Sequence, residues 1–185
     1  MKKIIYITFA LMLCFIVISV FSAADGNTVY YKYNAKSMVV AKKTGMTVLK
    51  GDAKFIKLDA QLKEMGDYVN ADTITLYSKH NDSTGKDELT KMEATGNVKM
   101  KQGDMAVTCV NAVLVYEPEE VINMEGTKES PAIADDGRNR IEAPRIKYFR
   151  KDDRLEADGD VTGQITIEEK KSEESKDTNK EKTEK

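Results

Sequence analysis

One outline recurs four times in the sequence and restricts the fold more than any other feature. Each copy has a small residue, an apolar or alternating stretch, a gap, and a glycine followed by a polar residue and a second alternating stretch. The copies begin at "NAKSMVV", "NADTITLY", "NAVLVY" and "EAPRIKYF". From the alanine to the glycine the copies span 16, 25, 14 and 16 residues (Ala35 to Gly51, Ala71 to Gly96, Ala112 to Gly126, Ala143 to Gly159). Repetition at this scale predicts stacked strand–turn–strand units, each covering the apolar face of the next.

Alternation with a period of two identifies the segments in these copies as strands. In "VTGQITI", Val161, Ile165 and Ile167 fall on one face, and "GNVKMKQ" and "ADTITLY" alternate in the same way. Gly- and Asp-rich tetrapeptides such as "KGDA", "QGDM" and "DGDV" are typical of turns. Short strands at this spacing predict an antiparallel all-β fold. Residues 58–65 fit either a helical turn or a further strand and loop, and "SKHNDSTGKDELTK" is predicted to be a polar loop.

The N-terminus has the order of an export signal. Two lysines precede an apolar run, and small residues offer a cleavage point after Ala24. A run of about 18–20 apolar residues also suffices to cross a bilayer, so residues 1–24 are a signal peptide or a retained membrane anchor. Lipidation of Cys14 is disfavoured because Leu13 precedes it and the apolar run continues beyond it. Either alternative places the rest of the chain outside the cytoplasm.

The C-terminal stretch 168–185 has no apolar residue to bury and is predicted to be a disordered charged tail. The folded domain is therefore expected at 27–167. Acidic and basic residues are interspersed in the 185-residue chain, whose formal net charge is −2, and no basic stripe indicates a nucleic-acid partner. Cys109 has no second cysteine within the domain to pair with and is expected to act as a small buried hydrophobe.

Two stretches carry a family resemblance. "NADTITLY…MEATGNVKMKQGDMAVTCVNAVLVY" and "EAPRIKYFRKDDRLEADGDVTGQI" resemble the OstA-like, LptA–LptC-type family of periplasmic lipopolysaccharide-transport proteins, over about residues 30–167. The pattern is an alanine-opened strand that ends in tyrosine, followed by "A-x-G-N/D-V". The resemblance implies a twisted, partly open β-jellyroll of stacked antiparallel hairpins. The third copy departs from the pattern, and Pro131 and Pro144 are expected to interrupt pairing near 126–145.

The resemblance also implies a function. The expected function is a periplasmic carrier or bridge that shields the acyl chains of lipopolysaccharide or a related glycolipid between the inner and outer membranes. Implied partners are the glycolipid and other jellyroll transport components joined end to end by strand addition, with a head-to-tail homo-oligomer as one such assembly. Retention of residues 1–24 would instead anchor the protein in the inner membrane, facing the periplasm.

An acyl chain in water costs about 0.8 kcal/mol per exposed methylene, so a carrier needs a continuous apolar groove. Alternating strands provide such a groove on one face and a polar surface on the other. The residues expected to line the groove, which would equally fill a sandwich core, are Ile74, Leu76, Val98, Met100, Val107, Val113, Ile146, Tyr148, Val161 and Ile165.

Catalysis and cofactor binding are not indicated. His80 is the single histidine of the sequence and lies in the polar insertion, and no Cys/His cluster has metal-ligand spacing. "DDGRN" and "DGD" lack the remaining ligands of a calcium loop and are predicted to be turns. Two functions compete with the carrier: an adhesive or structural surface protein that binds proteins and no lipid, and a glycan-binding sandwich using Tyr30, Tyr31 and Tyr33.

Overall fold

The computed structural model describes residues 30–116 and 118–167; the predicted leader 1–24 and tail 168–185 lie outside them. Within these residues the chain forms twelve strands and a short 3₁₀ turn at Lys42–Thr44. The strands are β1 (Tyr30–Asn34), β2 (Ser37–Ala41), β3 (Met46–Leu58), β4 (Glu64–Asn81), β5 (Lys86–Gln102), β6 (Met105–Val115), β7 (Val121–Glu125), β8 (Ala132–Asp135), β9 (Arg140–Ala143), β10 (Arg145–Phe149), β11 (Arg154–Asp158) and β12 (Thr162–Gln164). All are antiparallel neighbours in one open sheet, which confirms the predicted all-β jellyroll.

A line of irregularities, here called the seam, divides the sheet into two halves. It runs through residues 35–36, 51–52, 71–72, 96–97, 109–110, 126–131, 144 and 159–161. At the seam the pairing of β3, β4, β5 and β6 shifts register, and the later strands end on either side of it. Half-sheet 1 contains β2, β7, β10, β11 and the adjoining parts of β3–β6, and half-sheet 2 contains β1, β8, β9, β12 and the remaining parts.

Two of the predicted turns are β-bulges inside continuous strands. Gly51 and Asp52 lie within β3, and Gly96 and Asn97 lie within β5, all four with positive φ. In each bulge two residues oppose one residue of the neighbouring strand, and the one extra residue bends the strand at the seam. Glycine is needed at Gly126 for a different reason, because a Cβ there would lie 2.3 Å from the backbone nitrogen of Ala132. The glycines of the repeat therefore fold the sheet over and do not close its hairpins.

The repeat itself needs one correction of alignment. Thr95 pairs with Asn111 and Val98 pairs with Cys109, so Cys109 takes the seam position that Ala35, Ala71 and Ala143 take in the other copies. Asn111 and Ala112 begin three residues too late to be equivalent to Asn70 and Ala71. The equivalent positions are then 36, 38 and 34 residues apart. Each of the first three repeats supplies one hairpin to each half-sheet, and the fourth supplies the β10–β11 hairpin to half-sheet 1 and the single strand β12 to half-sheet 2. The units lie side by side and are not stacked as separate hairpins.

Three further expectations are resolved by the strands. Residues 59–62 form a turn, so the segment 58–65 is strand and loop. The predicted polar loop is a hairpin arm in which 78–81 of β4 pair with 86–89 of β5. Pro131 precedes β8, and Pro144 is the single residue between β9 and β10, so both prolines interrupt pairing at the seam as predicted.

Candidate functional site

The inner faces of the two half-sheets carry apolar residues in rows that run across neighbouring strands. Next to the seam, half-sheet 1 has a row of seven register partners: Leu49, Ile74, Ala94, Ala112, Met124, Ile146 and Ala157. The corresponding positions of half-sheet 2 are small: Ala53, Ala71, Val98, Cys109, Ala132 and Ala143. Six of the seven and all of these are buried, whereas Ala157 is half-buried. Small side chains here let the two backbones approach closely where the sheet folds.

A second row lies farther from the seam and faces a gap between the halves. In half-sheet 1 it comprises Leu76, Met92, Leu114, Ile122, Tyr148 and Leu155, and in half-sheet 2 it comprises Tyr33, Phe55, Val69, Met100, Val107, Ala134 and Ile141. Members of both halves line one cavity of about 70 Å³, which shows that the two faces oppose each other. A water molecule needs about 10–15 Å³ of such volume, so this cavity has room for a few water molecules and the side chains fill the rest of the centre.

The apolar strip remains uncovered where it reaches the two edges of the sheet. At the N-terminal edge, Tyr33 is 51% exposed, and the inward-facing Met38 and Val40 of β2 are 46% and 49% exposed. Val161 and Ile165 are exposed at the C-terminal edge. There the interior widens into a groove of about 860 Å³ lined by Met105, Ala134, Ile141, Tyr148, Leu155, Ile165 and a rim of Asp and Asn side chains. The interior is thus narrow in the middle and open at its ends.

The ten residues predicted to line the groove fall into three groups. Seven point inward and are brought together: Ile74, Leu76, Ile146 and Tyr148 from half-sheet 1, and Val98, Met100 and Val107 from half-sheet 2. Val161 and Ile165 lie outside the packed centre, at the open edge. Val113 lies on the outer face, between its register partners Glu93 and Asn123, because Ala112 and Leu114 on either side of it point inward.

Several inner residues were missed from the sequence, among them Leu49, Phe55, Met92, Leu114 and Ile122. Leu49, Phe55 and Met92 lie in strands that contain a bulge, and Leu114 and Ile122 lie in the misaligned third copy. The alternation of inward and outward residues changes phase at these places. Counting Cys109 as a small residue equivalent to alanine would have restored the phase. The outward position of Val113 would have followed from the same alignment.

A polar cluster closes the side of the interior opposite the seam, and we call it the mouth. It consists of Tyr31, Lys57, Gln102, Tyr116 and Arg150. Tyr31 stacks on Phe55 with ring centroids 4.7 Å apart. Burial raises the pKa of Tyr116 and of Tyr31 above the ordinary value, and nearby Arg150 partly opposes both shifts. Both phenols therefore remain neutral at physiological pH.

Arg150 joins the two half-sheets across the mouth. It follows β10, and its backbone N–H donates to the carbonyl of Glu120 (3.0 Å). With the Gln102 amide oriented so that its oxygen faces the guanidinium, that oxygen accepts from Nη2 (2.8 Å) and Nε (2.9 Å). Away from the seam, no other side-chain hydrogen bond among residues 30–116 and 118–167 connects the two halves.

Cys109 is buried, as expected, and His80 is exposed but lies in β4 and not in a loop. Burial raises the pKa of the Cys109 thiol to about 12, consistent with a packed, unreactive side chain. His80 is exposed near the end of β4, with Nδ1 2.9 Å from an Asp87 carboxylate oxygen. Within the described ranges, no group of three or more His, Cys, Asp or Glu side chains has an arrangement that holds a metal. No helix of those ranges is long and apolar enough to cross a membrane.

Comparison with solved structures identifies this fold. No family model and no curated protein matches the chain. The crystal structure of LptH, the LptA-homologous periplasmic component of the lipopolysaccharide transport device of Pseudomonas aeruginosa, superposes with a TM-score of 0.58 at 13% identity. The match covers 78% of this chain and all of that one. The chain therefore has the fold of an open, LptA-like β-jellyroll.

Proposed function

We propose that this protein is a periplasmic carrier of lipopolysaccharide or a related glycolipid, with the acyl chains held between the half-sheets. The observation that carries the proposal is the apolar inner strip, which crosses strands β1–β11 and is uncovered at both edges. A domain that needed only a core would gain from covering those edges, since each exposed apolar side chain forgoes about 1.5–3 kcal/mol of burial. The fold shared with LptH supports the same function.

The packed centre requires that the ligand separate the half-sheets. Backbone hydrogen bonds continue through the bulged strands at the seam, whereas the opposite side is joined by the Arg150–Gln102 contact. Opening is therefore expected as a hinge motion about the seam that widens the mouth. Met92, Met100 and Met124 line or adjoin this space, and methionine adapts to irregular apolar surfaces.

Photo-crosslinking tests this function. A benzoylphenylalanine at Leu76, on the inner face and half-buried, should form an adduct with lipopolysaccharide in cells that make it. The same residue at Val113, half-buried on the outer face, is the matched control and should form none. Absence of an adduct at Leu76 in a folded protein would favour the competing adhesive or structural role.

We further propose that the edges join to other copies or to related jellyrolls by strand addition. β1 and β2 each pair with β3 alone, and β11 and β12 pair with β10 and β9, so both ends carry strands with one free side. Residues 30–50 hold five lysines and no acidic residue, whereas 152–160 hold five acidic residues and one arginine. Opposite charges at the two ends favour head-to-tail contact.

Light scattering at low and high salt tests this head-to-tail self-association, which should weaken as salt screens the charges of the two ends.

The location of the protein depends on residues 1–24. N-terminal sequencing of the mature protein separates the alternatives: a start near Asp25 means a cleaved signal and a free periplasmic bridge, and an intact Met1 means an inner-membrane anchor.

A further inference from the structure

The mouth combines an apolar floor with two cations whose charge is weakly compensated. Arg150 and Lys57 line the cavity together with Phe55, Met100 and Leu114. The Lys57 ammonium group forms no hydrogen bond or ion pair with any described residue. Glu120 lies 3.6 Å from Arg150 Nη1, longer than a hydrogen bond. The close partner of the guanidinium is the neutral amide of Gln102.

A neutral amide is a weak partner for a guanidinium. Arginine presents a planar pair of donors that matches a carboxylate or phosphate in two parallel hydrogen bonds, and such charge-assisted bonds are about twice as strong as neutral ones. Gln102 occupies this position with one oxygen that accepts from both Nη2 and Nε. An anionic group could therefore replace Gln102 with a net gain in interaction.

Asp67, the carboxylate that lines the cavity, is hydrogen-bonded to a turn next to the mouth. Asp67 also lines this space, and its Oδ1 accepts from the backbone N–H of Gly103 at 3.0 Å. The lining therefore has one carboxylate, Asp67, beside three cations, Lys57, Lys101 and Arg150, and Glu120 pairs with Arg150 at 3.6 Å from outside the lining. The local charge therefore favours an anion at the mouth and an apolar group beneath it.

We propose that the mouth is a head-group subsite for an anionic amphiphile, with Arg150 and Lys57 binding a phosphate or carboxylate while the alkyl chain enters the cavity below. The subsite rests on the proposed carrier function and assigns the residues that select the ligand. The head group displaces Gln102, and this displacement releases the contact between the half-sheets. Head-group binding and opening of the interior are thereby the same event.

Amphiphiles of one chain length and different heads test the subsite. Dodecyl phosphate, dodecanoate and dodecyl maltoside, each below its critical micelle concentration, are titrated into the protein as the cell produces it, with binding followed by calorimetry. Arg150→Gln should weaken binding of dodecyl phosphate or dodecanoate about tenfold or more and leave dodecyl maltoside unchanged. The stronger of the two anions distinguishes a phosphate from a carboxylate head. Arg145→Gln, on the outer face of β10, the strand that Arg150 follows, is the matched control and should change neither class.

A second variant tests the role of Gln102. Removal of the competing amide in Gln102→Ala should strengthen binding of the anionic amphiphile severalfold. Equal loss of anionic and neutral ligands in Arg150→Gln would mean a structural role only and would overturn the subsite, as would identical behaviour of Arg150→Gln and Arg145→Gln. Failure of the unaltered protein to bind any of the three ligands would instead contradict the carrier function itself.

Discussion

The seam side and the mouth side of the interior are built from the same strands but differ in how they are held. Beside the seam, nearly all inner side chains are buried, those of half-sheet 2 are small, and glycines at close approach let the backbone fold. At the mouth, half-buried aromatic and charged side chains meet across a gap, and one arginine spans it. The tightly packed part of the interior therefore lies beside the seam, and the loosely packed part lies at the mouth. The following experiments test this contrast, beginning with the largest expected effect.

Gly126→Ala should destabilise the protein by about 3 kcal/mol or more, because the new Cβ meets backbone atoms of Pro131 and Ala132 at 2.3–2.5 Å. Gly103→Ala in the turn at the mouth is the control. It keeps the strain of a positive φ but has nothing within 4 Å, so about 1 kcal/mol is expected. Chemical denaturation of both variants measures the difference, and equal losses would contradict a tightly packed seam.

Ile74→Ala should cost about 2–3 kcal/mol, since Ile74 is fully buried in the seam row and truncation leaves a cavity. Leu155→Ala, in the row farther from the seam, removes a half-buried side chain and should cost about 1 kcal/mol. The same denaturation experiment applies. A larger loss at Leu155 would reverse the proposed distribution of stability.

Cys109 reports on the seam without disturbing it. Because burial raises its pKa to about 12, the thiol should react slowly with an aromatic disulfide reagent at pH 8 and rapidly once the protein is unfolded. The sign of the pH effect follows. The unfolded thiol ionises near 9 and the folded one near 12, so the unfolded state loses its proton first and stability falls as pH rises between these values. Rapid labelling of the native protein at pH 8 would place the seam among the mobile regions.

Glu93 tests the outer face, where the smallest effect is expected. Its carboxylate accepts from Lys91 Nζ (2.7 Å) and from the Tyr77 hydroxyl (2.9 Å), and both hydrogen bonds lower its pKa. A lowered pKa stabilises the fold above about 4.5 and loses that contribution as pH falls below it. The Glu93 side chain is 36% exposed and partly screened by solvent, so Glu93→Gln should cost about 0.5 kcal/mol or less at pH 7 and nothing at pH 3. Thermal unfolding at the two pH values measures this.

The sequence predicted the fold class and much of the inner face, because alternation and repetition act locally. Ile74, Leu76, Val98 and Met100 were identified in this way, since they lie in segments 73–77 and 98–102, where alternation is unbroken. Val113 was expected on the inner face because Asn111 and Ala112 resemble Asn70 and Ala71. Aligning these two pairs shifts the third copy by three residues. Pairing partners, which determine the true alignment, are separated by tens of residues and leave no local signal.

The mouth lay beyond sequence reasoning for a related reason. Tyr31, Gln102 and Arg150 come from three distant segments that meet only when the strands fold back at the seam. No spacing rule connects them. The opposite charges of 30–50 and 152–160, by contrast, are visible in the printed sequence and could have been noted there.

Because a complete repeat adds one hairpin to each half-sheet, the length of the interior and its cross-section are set by different parts of the sequence. Insertion of one more unit of about 36 residues would extend the interior by two strand spacings, about 9–10 Å, and leave the cross-section unchanged. Under the proposed carrier function, duplication of a unit would lengthen the path for the ligand without altering the ligand that fits it.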